Sequence, residues 1–359
     1  LLFQEVHDQM IYGIHIYSGN STEVEFFSIS NLFHPKTIDG CFLNKNDSGE
    51  VKGIKVKDES RNSFVWNTTP HNSRLVRITK EELKLMSLTF EGSDVWQTTK
   101  LISIHAKEIL SIFKKLGEFK TRTYNFQNKI TECWDETNSV KSGQIIRKTQ
   151  ISDLDKFQMI YSGPHIYVSN PLYKTPREVC TLNSHYDTID FQLNGDSFST
   201  RTNYVPSNVD ENYETLFKGF ESSNENFYWI NQYKVGFRKM LSQAGERTLI
   251  GALIQPKSSH INGIISVLFR DEERTIELLG MTSSLPMDFY IKSTGKSNLY
   301  DVTLKTIPLG IQEKYLDSLV SRTLILNCVD RSYSTVWEKN FKSTFCNEEW
   351  SKSDVRLKS

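Results

Sequence analysis

The strongest constraint on the fold is a short residue pattern that occurs twice along the chain. Three pieces of the first half return in the same order in the second half: Gln9–Tyr12 as Gln158–Tyr161, Ser30-Asn31 with Cys41 as Ser169-Asn170 with Cys180, and Asn67, Pro70 and Asn72 as Asn203, Pro206 and Asn208. The spacing from Ser-Asn to Cys is the same in both copies. We therefore expect a duplicated unit of about 140 residues, because ordered recurrence is a signature of repeated structure. Chance similarity between β-rich segments is the alternative.

Both copies mix strand and helix patterns, which predicts an α+β fold. Runs rich in β-branched and aromatic residues predict strands, including two late runs at 274–283 and 288–295. Thr79 and Glu82 form the capping-box pattern of a helix start, and apolar spacing predicts a further helix over 100–117, with His105 packed and hydrogen-bonded. The stripe from Leu316 to Cys328 predicts a C-terminal helix followed by a second one.

These elements predict two related lobes and a helical end. We expect the first lobe at 1–145, the second lobe at 146–305 and a C-terminal helical segment at 306–359. The chain begins with Leu1 in what reads as an amphipathic segment, so we expect it to be part of a longer protein.

Composition bounds the partners and the compartment. Lys plus Arg and Asp plus Glu are both 43, so a uniformly basic surface for nucleic acid is excluded while a local basic face is not. No apolar run approaches the ~20 residues of a membrane span, and no signal peptide is recognisable, so we expect no membrane association. The five cysteines are widely spaced, which favours reduced thiols in a cytoplasmic protein over a zinc site.

The glycine pattern argues against a nucleotide-like cofactor in this segment. No two of the 18 glycines are adjacent or separated by one residue, so every G-x-G phosphate loop is missing. We therefore expect no cofactor and no metal here. One nuclease-like pattern remains as an alternative: Asp39, Glu50 and Lys52 have the residue types of a magnesium-dependent nuclease. For Trp134, Asp135 and Glu136 we expect a capped turn with a buried indole, and a functional carboxylate pair is the alternative.

Polar and basic residues of the second half predict a DNA-binding face. Base edges are read by Arg, Lys, Asn and Gln, while Ser, Thr and Tyr hold phosphates. The candidate DNA-binding residues fall into four clusters: Lys174, Thr175 and Arg177; Arg201, Asn203 and Tyr204; Lys234, Arg238, Lys239 and Arg247; and Lys257, His260 and Asn262. A solvated or ion-paired surface role is the alternative for any one of them.

Several longer phrases together carry a family resemblance. FFSISNLFHPKTIDGC at 26–41, IYSGPHIYVSNPLYKTPREVC at 160–180, AGERTLIGALIQP at 244–256 and RTLILNCVDRSYSTVWEKNF at 322–341 resemble the C-terminal half of large adenine-specific DNA methyltransferases. These are the single-chain type IIG restriction–modification enzymes and their relatives in BREX- and DISARM-like phage-defence systems. The resemblance extends over most of the chain.

The resemblance implies a target recognition region, which selects the DNA sequence to be modified. The parent enzyme would bind S-adenosylmethionine and methylate adenine N6 in an upstream catalytic domain, and other defence-system subunits are further expected partners. Asn170-Pro171-Leu172-Tyr173 departs from the Asn-Pro-Pro-Tyr catalytic loop, and the first copy has Asn31-Leu32-Phe33-His34 there. We therefore carry over double-stranded DNA recognition and no catalytic residue. A magnesium-dependent nuclease and a protein-interaction scaffold remain alternatives.

Overall fold

The computed structural model describes residues 23–44, 49–191, 198–220, 227–347 and 349–350. Their strands are β1 (Glu25–Ser28), β2 (Lys55–Asp58), β3 (Ser63–Trp66), β4 (Val76–Thr79), β5 (Thr121–Arg122), β6 (Asn128–Thr131), β7 (Ile145–Ile151), β8 (Met159–Tyr161), β9 (Lys174–Pro176), β10 (Tyr186–Thr188), β11 (Arg201–Pro206), β12 (Lys234–Arg238), β13 (Gly251–Ile254), β14 (Ser258–His260), β15 (Ile264–Phe269) and β16 (Pro308–Leu309). Their helices are α1 (Lys36–Leu43), α2 (Lys80–Met86), α3 (Ile109–Gly117), α4 (Glu136–Lys141), α5 (Glu272–Thr282), α6 (Leu285–Ser293), α7 (Asp301–Lys305), α8 (Glu313–Asn327) and α9 (Ser334–Asn340). The mixture is α+β, as the sequence predicts.

The tertiary contacts divide the chain into two compact units. Unit 1 comprises the described residues up to Lys84 together with 95–99 and 104–109, and unit 2 comprises 85–94, 100–103 and the described residues from Leu110 onward. The expected boundaries at 145 and 305 do not coincide with this division. Helix α8 packs against α5, so the C-terminal helical segment belongs to unit 2.

Unit 1 is built from two antiparallel strand pairs, β1 with β4 and β2 with β3, and the helix α1. The buried Arg74 side chain donates to the carbonyl oxygens of Thr69, Ser30 and Asn31 at 3.0 to 3.2 Å, which fixes the segment that follows β1. His105 is buried, and its Nε2 lies 2.9 Å from the carbonyl oxygen of Lys52. The expectation of a packed, hydrogen-bonded histidine is confirmed.

Unit 2 is organised around a four-stranded sheet in the order β13-β12-β15-β6, with antiparallel neighbours. Strands β13 and β15 are buried along their whole length, as continuous apolar runs predict. Helix α5 covers this sheet and packs against α8. Gly280 makes the contact possible, because a Cβ there would collide with the side chains of Thr323 and Leu319 on α8.

The edge of this sheet at β13 is closed by two side chains and one backbone amide instead of a further strand. The Asn327 side-chain oxygen accepts from the Leu253 amide at 3.0 Å, and the Tyr333 hydroxyl donates to the Leu253 carbonyl at 2.9 Å. The Ser169 amide donates to the Gly251 carbonyl, two residues earlier on the same edge, at 2.8 Å. An unpaired edge strand is a template for aggregation, and these three bonds remove that template at β13.

Two predicted strands are helices in the structure. Residues 274–282 lie in α5, Ser283 is its C-cap, and 288–295 overlap α6. The Asp271 side chain caps α5 by accepting from the Glu273 amide, and Ser284 caps α6 by accepting from the Met287 amide. Most of α5 is buried, so it lacks the polar face that would have separated a helix pattern from a buried strand.

The predicted helix over 100–117 is helical only from Ile109 to Gly117. The residues from Leu101 to Glu108 form no regular structure, and Ile102 and Ile104 are buried. Their backbone groups bond elsewhere: the Ser103 amide donates to the Ser293 carbonyl within unit 2, and the Lys107 amide donates to the Ser73 carbonyl within unit 1. The apolar residues of 100–117 therefore do not form one helix face, because the segment before α3 packs separately from the helix.

The predicted repeat is not confirmed. Between Asn31 and Cys41 the first copy forms most of α1, whereas between Asn170 and Cys180 the second copy forms the strand β9 and a loop. Asn67 lies outside regular structure, whereas Asn203 lies within β11. The pattern at Gln9–Tyr12 lies outside the described residues.

Other local predictions are confirmed. Helix α2 follows Thr79, whose amide donates to the Glu82 carboxylate at 2.8 Å as a capping box requires. Asp135 caps α4, and the Trp134 indole is buried with its N–H donating to Ser259 Oγ at 3.0 Å. None of the helices in the described ranges is long and apolar enough to cross a membrane.

Replacing the edge-closing amide tests this account of the sheet. We expect Asn327→Leu, which keeps the side-chain size, to lower the free energy of unfolding by about 1–3 kcal/mol, because the Leu253 amide loses a buried acceptor. Urea unfolding of the whole chain measures the change. Ser318→Ala on the exposed side of the same helix is the control, and equal stability of the two variants would contradict the account.

Candidate nucleic-acid interface

The structure separates the thirteen candidate residues by burial. Asn203, Tyr204, Lys234 and His260 are buried and cannot reach a duplex from the folded state. Asn203 accepts from the Thr149 hydroxyl at 2.7 Å, and the Tyr204 hydroxyl donates to the Glu136 carboxylate. For these four residues the prediction of a DNA contact is wrong, because their polar groups serve the interior of unit 2.

Lys234 shows why a basic residue in a strand can be buried. Its ammonium group lies 4.3 Å from the centre of the Trp229 ring and donates to the carbonyl oxygens of Gln232 and Gln255 at 3.1 and 3.3 Å. Burial lowers its pKa to about 7. The cation–π contact and the carbonyl oxygens replace the water that this ammonium group loses.

His260 is a second buried polar group of the same region. Its Nε2 lies 2.9 Å from Ser266 Oγ, and its ring meets the Trp229 ring edge to face. Burial lowers the pKa of His260 to about 3, which keeps the ring neutral. A neutral, enclosed imidazole has no means of holding a phosphate.

Three further candidates are partly exposed but tied to the protein. Arg238 donates to the Gly163 and Ile166 carbonyl oxygens at 2.9 and 2.6 Å, and burial lowers its pKa. Lys239 pairs with Glu132.

Arg247, the third, donates to the Ser283 carbonyl at 2.8 Å and lies 3.4 Å from the Asp288 carboxylate. That carboxylate also accepts the Thr248 and Leu249 amides at 2.8 and 2.7 Å. In the ERTLI phrase, Arg247 thus forms an internal ion pair that anchors the loop segment leading into β13.

Lys257 and Asn262 lie at the surface with acidic partners. Lys257 pairs with Asp155 at 2.8 Å, and the Asn262 amide nitrogen donates to Asp135 at 3.0 Å. Asn262 also accepts the Glu136 amide at 3.3 Å and so helps to hold the start of α4. Nothing in the described contacts joins these two residues to the four remaining candidates.

The remaining four candidates lie together on adjacent strands. Lys174 and Thr175 are on β9, which pairs antiparallel with β10, and Arg177 follows directly after β9. The Arg201 amide, at the start of β11, donates to Thr175 Oγ1 at 3.0 Å. We call Lys174, Thr175, Arg177 and Arg201, together with Arg147 described next, the ribbon surface.

Arg147 is the fifth member of the ribbon surface and was not among the residues predicted from the sequence. It lies on β7, opposite Tyr204 of β11, and its guanidinium donates to the Thr181 carbonyl at 2.9 Å in the loop that follows β9. The signal was available as Arg147-Lys148 within the strand IIRKTQI, where an alternating pattern would place one of them outward. Among the described residues, neither Arg147 nor Lys174 has a carboxylate partner within ion-pairing distance.

The other two cations of the ribbon surface form exposed ion pairs. Arg177 makes a two-pronged contact with Asp187 on β10 at 2.8 to 3.0 Å, and Arg177 holds the pKa of that carboxyl below its usual range. Arg201 lies 3.6 Å from Glu178. Exposed pairs contribute only about 0–1 kcal/mol, so a phosphate can replace the carboxylate at little cost.

His165 is a buried residue that holds the start of β11 beside the ribbon surface. It is fully buried, its Nε2–H donates to the Arg201 carbonyl at 3.0 Å, and its Nδ1 accepts the Ser162 amide at 3.0 Å. Burial lowers the pKa of His165 to about 4. The neutral ring thus joins the turn after β8 to the first residue of β11.

The Asn-Pro-Leu-Tyr segment forms a turn that leads into β9. The Asn170 side-chain oxygen accepts the Leu172 amide at 3.1 Å, and Leu172 is buried. The Tyr173 ring packs against the Tyr167 ring with centroids 4.9 Å apart, and the Lys174 ammonium lies 5.3 Å from the Tyr173 ring. The asparagine side chain is therefore used within its own turn.

Acidic groups mark where the ribbon surface ends. A cavity of about 540 Å³ borders Ser152 and Thr200, and Asp153, Asp155 and Asp330 are among its lining residues. Like charges repel, so a phosphate backbone is not expected to enter this cavity.

The nuclease alternative gains nothing from the structure. Asp39 lies on α1, whereas Glu50 and Lys52 lie before β2, beyond residues 45–48, which are outside the described ranges. Within those ranges no group of three or more His, Cys, Asp or Glu residues is arranged to hold a metal ion. All five cysteines are free thiols. Among the described residues, no hydrogen bond or ion pair joins Asp39, Glu50 and Lys52.

Comparison with models of known protein families gave no match, and comparison with curated proteins gave no significant match.

The buried histidine predicts a pH dependence of stability. The unfolded chain binds a proton at His165 below its ordinary pKa of 6.5, whereas the folded chain binds it only near 4, so stability should fall as the pH drops between these values. His165 should contribute roughly 2 kcal/mol of the loss between these two conditions, and His165→Gln should remove that share, while the share of His260, whose pKa is lowered to about 3, remains. Urea unfolding at about pH 7 and about pH 4.5 measures both proteins. His34→Gln, at an exposed position, is the control, and an equal loss in wild type and His165→Gln would contradict this role.

Proposed function

We propose that this chain recognises a specific double-stranded DNA sequence and serves as the target recognition region of an S-adenosylmethionine-dependent adenine N6-methyltransferase. The observation that carries the proposal is the ribbon formed by β9 and β10, a two-stranded antiparallel element that bears Lys174, Thr175 and Arg177. The major groove of B-DNA admits a two-stranded β-ribbon.

The charges of the ribbon surface suit this role. Among the described residues, Lys174 and Arg147 have no carboxylate partner, and the two arginines that do have one form surface pairs that open readily. The four cationic side chains of the ribbon surface outnumber the two carboxylates, Asp187 and Glu178. The surface therefore has a local positive excess, although the formal net charge of the whole chain is zero. Such an excess attracts the phosphate backbone and holds the register.

We assign base reading to Arg177, the residue directly after β9. Arg177 has a guanidinium already ordered by Asp187, and a planar fork of this kind matches the two acceptors of guanine in the major groove. Within the ribbon, Thr175 shares a face with Arg177, and Lys174 lies on the opposite face, where we assign it to hold a phosphate. Arg201 is held by the His165 and Thr175 contacts, so its backbone fixes the position of β11 relative to the ribbon.

The methyltransferase part of the proposal is supported by the sequence resemblance. An enzyme that modifies a base must flip the base out of the duplex, and the recognition region holds the remaining DNA while this happens. S-adenosylmethionine and the bond-making groups would belong to an upstream domain of the parent protein. The role of the present residues is to choose the site.

A charge reversal on the ribbon tests the proposal. We expect Lys174→Glu to weaken binding to duplex DNA by about tenfold or more and to lower the slope of log affinity against log salt by roughly 1 or more, because a phosphate contact is lost and repulsion is gained. Fluorescence anisotropy with labelled duplex pools at several salt concentrations measures both quantities.

Lys314→Glu on α8 is a matched control. Lys314 lies 4.7 Å from the ring of the neighbouring Tyr315, much as Lys174 lies over Tyr173, so the two substitutions remove the same local contact. Equal effects of the two reversals would show that net charge alone matters and would contradict a site on the ribbon. Absence of duplex binding by the whole chain joined to its upstream domain would reject the function itself.

A further inference from the structure

Unit 1 carries an exposed strand face on which aromatic and basic side chains alternate. In the register of β2 and β3, Lys55 is paired with Trp66 and Lys57 with Phe64. Directly paired residues, and residues two apart on one strand, lie on the same side of a sheet. These four side chains therefore share one face of the two-stranded sheet, which we call the aromatic–lysine face.

The aromatic groups of this face are exposed to an unusual degree. Phe64 is 70% and Trp66 is 46% exposed, and large apolar side chains gathered at a surface mark an interaction site. Phe33, itself exposed, stacks on Trp66 with ring centroids 4.5 Å apart and planes 24° apart. The Lys55 ammonium lies 4.6 Å from the Trp66 ring.

The charges of the face are positive. Asp58 pairs with Ser63 in the register and so belongs to the opposite face. Glu59 lies 3.5 Å from Lys57, but both side chains are largely exposed, and a pair of this kind opens at little cost. The partner of this face must therefore offer flat apolar groups together with negative charges at a regular spacing.

We propose that the aromatic–lysine face binds unpaired nucleotides of a single-stranded nucleic acid. Bases stack on exposed aromatic side chains while the backbone phosphates meet lysines, the combination by which single strands are held without sequence preference. Lys55 and Lys57 are two residues apart, about 7 Å along the strand, a distance that successive phosphates of an extended strand can match. Phe64 supplies an open ring, and the Phe33–Trp66 pair supplies a second platform.

This inference goes beyond duplex recognition and does not rest on it. The aromatic–lysine face belongs to unit 1 and the ribbon surface to unit 2, so substitutions can test them separately. DNA and RNA single strands share the stacking chemistry, and separate probes distinguish them.

Fluorescence anisotropy of the whole chain tests the proposal with labelled probes of about 12 nucleotides. The probes are oligo-dT, oligo-U, a strand of the same length made of abasic sites, and a duplex. We expect oligo-dT to bind about tenfold or more tightly than the abasic strand, because the two carry the same phosphates but only one carries bases. Tighter binding of oligo-U than of oligo-dT would make RNA the natural occupant and would still support the proposal.

Phe64→Ala is the decisive variant, because its exposed ring makes it the substitution least able to disturb folding. It should weaken oligo-dT binding about tenfold, and Phe64→Tyr, which keeps a stacking ring, should restore it. Lys57→Gln should weaken oligo-dT and the abasic strand equally, because it removes a phosphate contact. Tyr315→Ala, which removes an exposed ring from α8, is the matched control and should change nothing.

Three outcomes would overturn the proposal. One is equal binding of oligo-dT and the abasic strand by the wild type. Another is full oligo-dT affinity in Phe64→Ala. The last is that Phe64→Ala changes only self-association, which sedimentation measures, and leaves nucleic-acid binding intact. A second copy of the chain would then be the occupant of this face. Lys174→Glu should leave oligo-dT binding intact, so failure of the duplex proposal and failure of this one are distinguishable.

Discussion

The closure of the β13 edge by Asn327 and Tyr333 is the interaction on which the arrangement of unit 2 depends. It fixes α8 and the segment after it to the central sheet through the two backbone groups of Leu253. The same edge accepts the Ser169 amide at Gly251, and Ser169 opens the turn that leads into β9. One strand edge thus positions both the C-terminal helices and the proposed DNA-binding ribbon.

Buried polar side chains are the second feature that determines how unit 2 packs. Asp288 gathers Arg247 and the amides before β13, while Lys234 and His260 fill the region around Trp229. Burying any of these polar groups without a partner would cost free energy. The fold tolerates their burial because carbonyl oxygens, amides or aromatic rings interact with them. The polar residues between strands therefore specify how the strands pack, and only those left outside this network are available to a partner.

The sequence predicted the features that depend on neighbouring residues. Fold class, the Thr79 capping box and the α8 stripe follow from local periodicity and capping, which tertiary contacts did not override. Helices α5 and α6 were predicted as strands, because a helix buried on most sides shows no polar face and resembles a buried strand in sequence. The repeat was inferred from matching letters, but the segments from Asn31 and from Asn170 reach their cysteines through different structures.

The candidate interface was predicted only in part, for a reason that concerns burial. The segment Lys174–Arg177 stays a candidate, because Arg177 is exposed and Lys174 and Thr175 are half-buried. Lys234 and His260 have the same residue types but lie in strands that are buried on both faces, which composition does not reveal. Arg147 was overlooked because it lies far along the sequence from the other basic clusters, and only the pairing of β7 with β11 brings it to the ribbon surface.

The central claim is that duplex DNA lies on the β9–β10 ribbon, and hydrogen–deuterium exchange of the whole chain with and without DNA tests it most directly. The account predicts that DNA slows exchange in the peptides covering residues 174–188 and leaves peptides from α8 unchanged. Slower exchange confined to other segments, such as 257–262, with the ribbon unaffected, would contradict it.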